Sequence, residues 1–184
     1  LAQRFRASPG PDLSFYDRRP VPQVEVIDVN DSNGKQSLFE GKFMQATVKW
    51  VDGAMFLGES GSGHSVVMDG PEDHGGRNMG VRPMEMLLLG MGGCATFDVM
   101  SILQKTRQKV LDCRVELEAE RADGVPSPFT KIKMNFIVTG VALKEAQVKR
   151  AVELSATKYC SASIMMEAAG VEVSHGYEIV EAAL

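Results

Sequence analysis

Residues 84–100 read MEMLLLGMGGCATFDVM. It is almost wholly apolar, carries the glycine pair Gly92–Gly93, and sets Cys94 directly after them. Extended to residue 103 the run is about long enough to span a bilayer, but Glu85 and Asp98 interrupt it. It is also a lone segment in an otherwise globular pattern, so it reads as a buried helix. Pro83 suits the first helical position and Glu85 in the first turn complements the helix dipole. The helix is expected to run from Pro83 to Arg107.

A helix that is apolar all round must be enclosed by protein. A sheet covers one side; a second copy of the same helix is the expected cover for the other. Gly90, Gly92 and Gly93 favour that arrangement. Each is worse in a helix than alanine by about 1 kcal/mol, and close backbone approach is the usual compensation. A homodimer with its central helices in contact is therefore expected.

Working outward, FMQATVKWV (43–51) alternates, with Met44, Ala46, Val48 and Trp50 on one face of a half-buried strand. AMFLGES (54–60) and HSVVMDG (64–70) follow across short turns, giving an antiparallel meander. The polar, glycine-rich loop at 71–83 leads into the central helix. Beyond it, VLDCRVELEAER (110–121) alternates with Leu111, Cys113, Val115 and Leu117 facing inward. FTKIKMNFIVTG (129–140) returns with Phe129, Ile132, Met134, Phe136 and Val138 as core residues. Residues 143–160 carry apolar residues at helical spacing, a short helix covers 161–169, and 171–182 closes as a strand. The order βββ–α–ββ–αα–β has no βαβ alternation, so the fold class is α+β with antiparallel sheets around a long central helix.

Residues 1–42 are rich in Pro, Arg, Asp and Ser and form an extension to the domain at 43–184, either native or added in cloning. The segment holds no continuous apolar stretch of the kind an export signal uses, although QVEVIDV (23–29) suits an edge strand. The 184 residues carry a net charge of −4, which argues against a nucleic-acid-binding surface. Three cysteines do not make a disulfide scaffold, and reduced intracellular thiols are the default. Neither the cysteines nor His64, His74 and His175 show paired metal-ligand spacing.

Periodicity alone leaves the role of Cys94 open. A cysteine on an apolar helix behaves as a small hydrophobe. At 11 residues beyond Pro83 it also sits too deep to feel the helix N-terminus. Cys160, in KYCSASIMM, falls at a helix start, where exposed N–H groups favour the thiolate. The two thiols can act as a pair if their Cα atoms come within about 6 Å. Cys113 reads as strand packing.

The segments RPMEMLLLGMGGCATFDVMSIL and KYCSASIMM, separated by a long hairpin and a helix, resemble the OsmC/Ohr family of organic hydroperoxide reductases, and most of all its YhfA-like branch. The resemblance covers about residues 44–182. It implies an interlocked homodimer with two sites at the subunit interface. It also implies that Cys94 is the peroxidatic thiol and Cys160 the resolving one, with no bound cofactor and an external dithiol, lipoyl-type in some members, as reductant. The family places an acid directly after the motif proline and uses an arginine from before the helix; here these roles would fall to Glu85, one position later, and to Arg77 rather than Arg82. Glu85 and Cys94 point about 180° apart on a straight helix, so Glu85 could serve only by reaching the partner subunit's cysteine or through a bend in the helix.

The expected function is cysteine-based reduction of organic hydroperoxides in the cytoplasm, in oxidative-stress defence. The partners are a second copy of the chain, the hydroperoxide and the dithiol; no nucleic acid or membrane is involved. The other reading is a non-catalytic dimer of the same fold. It would bind a small hydrophobic molecule in an apolar interface pocket softened by methionines such as Met84, Met86, Met91 and Met165.

Overall fold

The computed structural model describes residues 44–182, and the extension, with its candidate strand at 23–29, lies outside them. Strands β1 (Ala46–Asp52), β2 (Met55–Ser60) and β3 (Ser65–Met68) form an antiparallel meander in that order. Helix α1 (Pro83–Lys105) follows, with Pro83 at its first position and Arg82 as the N-cap. A second sheet is built from β4 (Lys109–Arg121), β5 (Phe129–Val141) and β6 (Glu172–Glu181), in the order β4-β5-β6. Helices α2 (Glu145–Leu154) and α3 (Ser161–Ala168) connect β5 to β6. The element order is the one the hydrophobic pattern predicts, and the fold is α+β with two small sheets and a central helix.

One face of α1 makes the core. Met91, Ala95, Val99 and Leu103 recur every fourth residue and are fully buried. They pack with Ile132, Met134, Phe136 and Val138 of β5 and Val148, Ala151 and Val152 of α2. At about 1.5–3 kcal/mol for each large side chain buried, this stripe is the main force holding the helix down. Gly92 belongs to it: a Cβ there would stand 2.9 Å from Leu117 Cδ1 and 3.3 Å from Val115 Cγ1. Its missing side chain lets β4 approach the helix.

Four expectations need correction. Leu111 is exposed rather than core, because β4 has a bulge between Val110 and Asp112 that shifts the alternation by one. Strand β6 runs parallel to β5, so this sheet is mixed rather than antiparallel. The two-helix connection is long enough for the crossover that a parallel pair needs. The helix read over 143–160 stops at Leu154 and continues as a π-helical turn, Ser155–Tyr159. Finally, β1 is exposed along its whole length, with Val48 and Trp50 each more than half exposed. No layer among the described residues covers it.

The outer face of α1 is likewise uncovered among the described residues. The helix is long and apolar enough to cross a membrane by length and composition, yet only 28% of its most apolar window is buried within the chain. Leu87, Leu89 and Phe97 lie in the open. Gly90 and Gly93 also face outward, and a Cβ at either would touch nothing within 4 Å. Of the three helix glycines, only Gly92 is explained inside the chain.

Candidate active site

Cys94 and Asp98 are four residues apart on α1, so their side chains share one face of the helix. Cys160 reaches the same place from the junction between a π-helical turn and α3. The π-helical turn is tied to α1 by the Ser155 hydroxyl, which donates to the Ala95 carbonyl at 3.1 Å. The Cys160 N–H in turn donates to the Ser155 carbonyl at 3.0 Å. Single π-helical turns recur at functional sites, where the extra residue re-aims the next stretch of chain. Here that stretch begins at Cys160, the N-cap of α3, whose Sγ accepts the Ser163 N–H at 3.5 Å.

The result is a cluster in which Cys94 Sγ, Cys160 Sγ and a carboxylate oxygen of Asp98 all lie within 4.8 Å of one another. Cys160 is fully buried, while Cys94 and Asp98 are partly so. Burial pushes the Cys160 thiol up; Ser163 works against that shift, and the neighbouring Cys94 adds to it. The thiolate character expected from the helix start is therefore overruled by desolvation. Burial likewise raises the Asp98 carboxyl, and its Oδ2 has no hydrogen-bond partner.

In the sequence, Asp98 reads only as a charge interrupting an apolar run. The signal that could have found it is its four-residue spacing from Cys94. Cys113 stands apart on β4, opposite Val138 and packed on the core, where burial and then Asp112 raise its thiol.

Glu85 and Arg77 are not part of the cluster within one chain. Glu85 accepts the Arg82 N–H at 2.9 Å and pairs with its guanidinium at 3.1 Å, closing the start of α1. Arg77 pairs with Asp52 at 3.2 Å across an exposed surface. Its loop is folded around buried Asp69, which accepts the N–H groups of Gly70, Arg77 and Met79 at 2.8–3.2 Å. Burial of that carboxyl is outweighed by the three donors together, and the group is held below its ordinary range. Beside this loop a cavity of about 450 Å³ opens, lined in part by Arg82, Glu85, Leu88, Arg121 and Phe129.

Two sulfurs and one oxygen are one donor short of a closed zinc site. Asp98 Oδ2 has no hydrogen-bond partner to orient the group as a ligand, and burial favours the protonated Cys160 that a metal would have to strip. The donor set fits thiol and proton chemistry better than coordination.

A family model described as OsmC-like protein matches residues 74–176. The chain belongs to the OsmC-like protein family. It is 54% identical to Protein YhfA of Escherichia coli K12 over 139 residues, spanning 76% of this chain and all of that one. A hypothetical protein from Aquifex aeolicus VF5 has a solved structure that superposes with a TM-score of 0.67 at 26% identity, covering 77% of this chain and 99% of the other. The structure of the organic hydroperoxide resistance protein OhrB of Bacillus subtilis superposes with a TM-score of 0.52 at 16% identity, over 74% and 98% of the two chains. At that identity the likeness is one of fold. Both sequence segments that carry the resemblance, around Cys94 and Cys160, fall within the matched OsmC-like span.

Proposed function

We propose that this protein is a thiol-dependent reductase of organic hydroperoxides that works as a homodimer in the cytoplasm. The observation that carries the reading is the meeting of Cys94 and Cys160, 66 positions apart in sequence, within 4.8 Å of each other and of one carboxylate. The fold relative from Bacillus subtilis, an organic hydroperoxide resistance protein by name, adds to it. The Cys94 sulfur attacks the terminal peroxide oxygen, the O–O bond breaks, and the alcohol leaves, giving a sulfenic acid. The Cys160 sulfur then displaces the sulfenic oxygen as water and forms a disulfide. An external dithiol reduces that disulfide by exchange and restores both thiols. A resolving thiol that burial keeps protonated stays out of side reactions until the sulfenic acid forms.

The open face of α1 supports the dimer. Met86, Gly90, Gly93 and Phe97 form a stripe that reads the same from either end, large–small–small–large at spacings of four, three and four. A two-fold axis midway between the glycines sets Phe97 against the partner's Met86, and glycine against glycine. The same axis brings the partner's Glu85 toward Cys94 and Asp98. The arginine that travels with Glu85 is Arg82, its ion-pair partner, so Arg82 joins Arg77 as a candidate to hold the thiolate.

Stopped-flow oxidation by cumene hydroperoxide tests the reading. Wild type should lose two thiols per chain, rapidly, and Cys94→Ser should lose none at that rate. If wild type reacts no faster than an ordinary free thiol, a second reading stands in its place: a dimer that binds a small hydrophobic molecule with its cysteines inert. The raised Cys160 thiol and the placement of Arg77 on Asp52 are the observations in its favour.

A further inference from the structure

Attack by a thiol on a peroxide moves one proton that no arginine can carry. The sulfur must shed it and the departing alkoxide must gain it. Within the cluster the group suited to both is Asp98. Its carboxylate lies within 4.8 Å of both sulfurs, a gap that one bridging water or a small rotation closes. Its Oδ2 is buried and makes no hydrogen bond, so no structural partner has to be given up. Burial raises its carboxyl, and among the described residues the cysteines, histidines and acids clustered with it are the two thiols.

We infer that Asp98 is the proton carrier of this site, taking the Cys94 proton and handing it to the leaving oxygen. The role rests on the hydroperoxide reading above. In the first step the Asp98 carboxylate takes the proton from Cys94 Sγ as the S–O bond forms. When the O–O bond breaks, the alkoxide takes that proton from Asp98, leaving alcohol, a Cys94 sulfenic acid and the original carboxylate. In the second step Asp98 takes the Cys160 proton as the S–S bond forms and returns it to the departing hydroxyl, which leaves as water. One carboxylate thus serves both half-reactions, because it stands beside both sulfurs. It also answers the like-charge problem: a fixed carboxylate beside a thiol opposes ionisation, whereas one that takes the thiol's own proton removes that opposition.

The test compares wild type, Asp98→Asn and Asp98→Glu in single turnovers with cumene hydroperoxide across a pH series. Alkylation of Cys94 by iodoacetamide runs in parallel, since iodide leaves without a proton. Asp98→Asn should slow peroxide reduction about 10²-fold at neutral pH, the loss usual for a missing acid–base group. Its alkylation at alkaline pH should match wild type and so report an intact pocket. Asp98→Glu should recover part of the rate and the wild-type shape of the pH profile. A fast wild type matched or outrun by Asp98→Asn overturns this role alone, for a carboxylate acting only as a charge would speed both reactions when removed. A wild type no faster than a free thiol overturns the hydroperoxide reading and this role with it.

Discussion

At the scale of single residues, the two thiols differ by environment rather than by type. Cys160 is buried and its thiol is held up by desolvation, while Cys94 is partly open at the cluster's edge. Limited alkylation at mildly alkaline pH, followed by peptide mapping, should therefore label Cys94 well before Cys160. Asp98 makes a second prediction. Its folded pKa lies above its unfolded one, so the native state holds the proton more tightly and loses stability as pH rises through the folded value. Asp98→Asn should raise the melting temperature at neutral pH, and the gain should vanish below the ordinary aspartate value of 3.8. A stabilising substitution that slows the reaction is the pattern expected of a group kept for function. His175 has the opposite sign. Burial lowers its pKa against a smaller push upward from Glu167, and its Nε2 has no partner. Stability from keeping it neutral is present above 6.5 and lost as pH falls toward its folded value. His175→Gln should flatten that part of the melting-temperature profile.

At the scale of elements, the glycines of α1 separate into two kinds. Gly92→Ala puts a methyl against the side-chain ends of Leu117 and Val115; overpacking of about 1–3 kcal/mol, less about 1 kcal/mol of helix propensity, should leave a net loss of up to about 2 kcal/mol in urea unfolding. Leu117→Val in the same chain should recover part of the loss. What the sequence disclosed at this scale depends on what sets each feature. The limits of α1 were legible because Pro83 and the apolar run are local signals, and the observed end at Lys105 is within two residues of the expected one. The inward face of β5 was legible because its alternation is unbroken from Ile132 to Phe136, beyond which Ile137 is buried as well. Leu111 was misread because a bulge leaves no mark in a pattern of apolar residues. The direction of β6 was not legible either, since strand sense depends on how the chain crosses over the sheet. The π-helical turn that aims Cys160 depends on a long-range hydrogen bond from Ser155 to α1, which no local window contains.

At the scale of the whole molecule, the open faces of α1 and β1 are where the proposed dimer is tested. Were the outer face of α1 exposed in solution, Gly93→Ala would stabilise the helix by about 1 kcal/mol through propensity alone. If two helices meet there, the added methyl holds them apart, and sedimentation should show a weaker dimer. Phe97→Asp should yield monomer outright, because a charge would replace a large apolar side chain at the contact. Loss of the dimer should also slow peroxide reduction, since Glu85 reaches the cluster only from the partner in this arrangement.

Intact mass after one equivalent of cumene hydroperoxide shows whether Cys94 is oxidised first and Cys160 resolves it. Wild type should lose two hydrogens, with peptide mapping joining Cys94 to Cys160. Cys160→Ser should instead gain one oxygen on Cys94, trapped by dimedone. A wild type that stays at its reduced mass, or a Cys94→Ser protein oxidised as readily as wild type, would contradict that order.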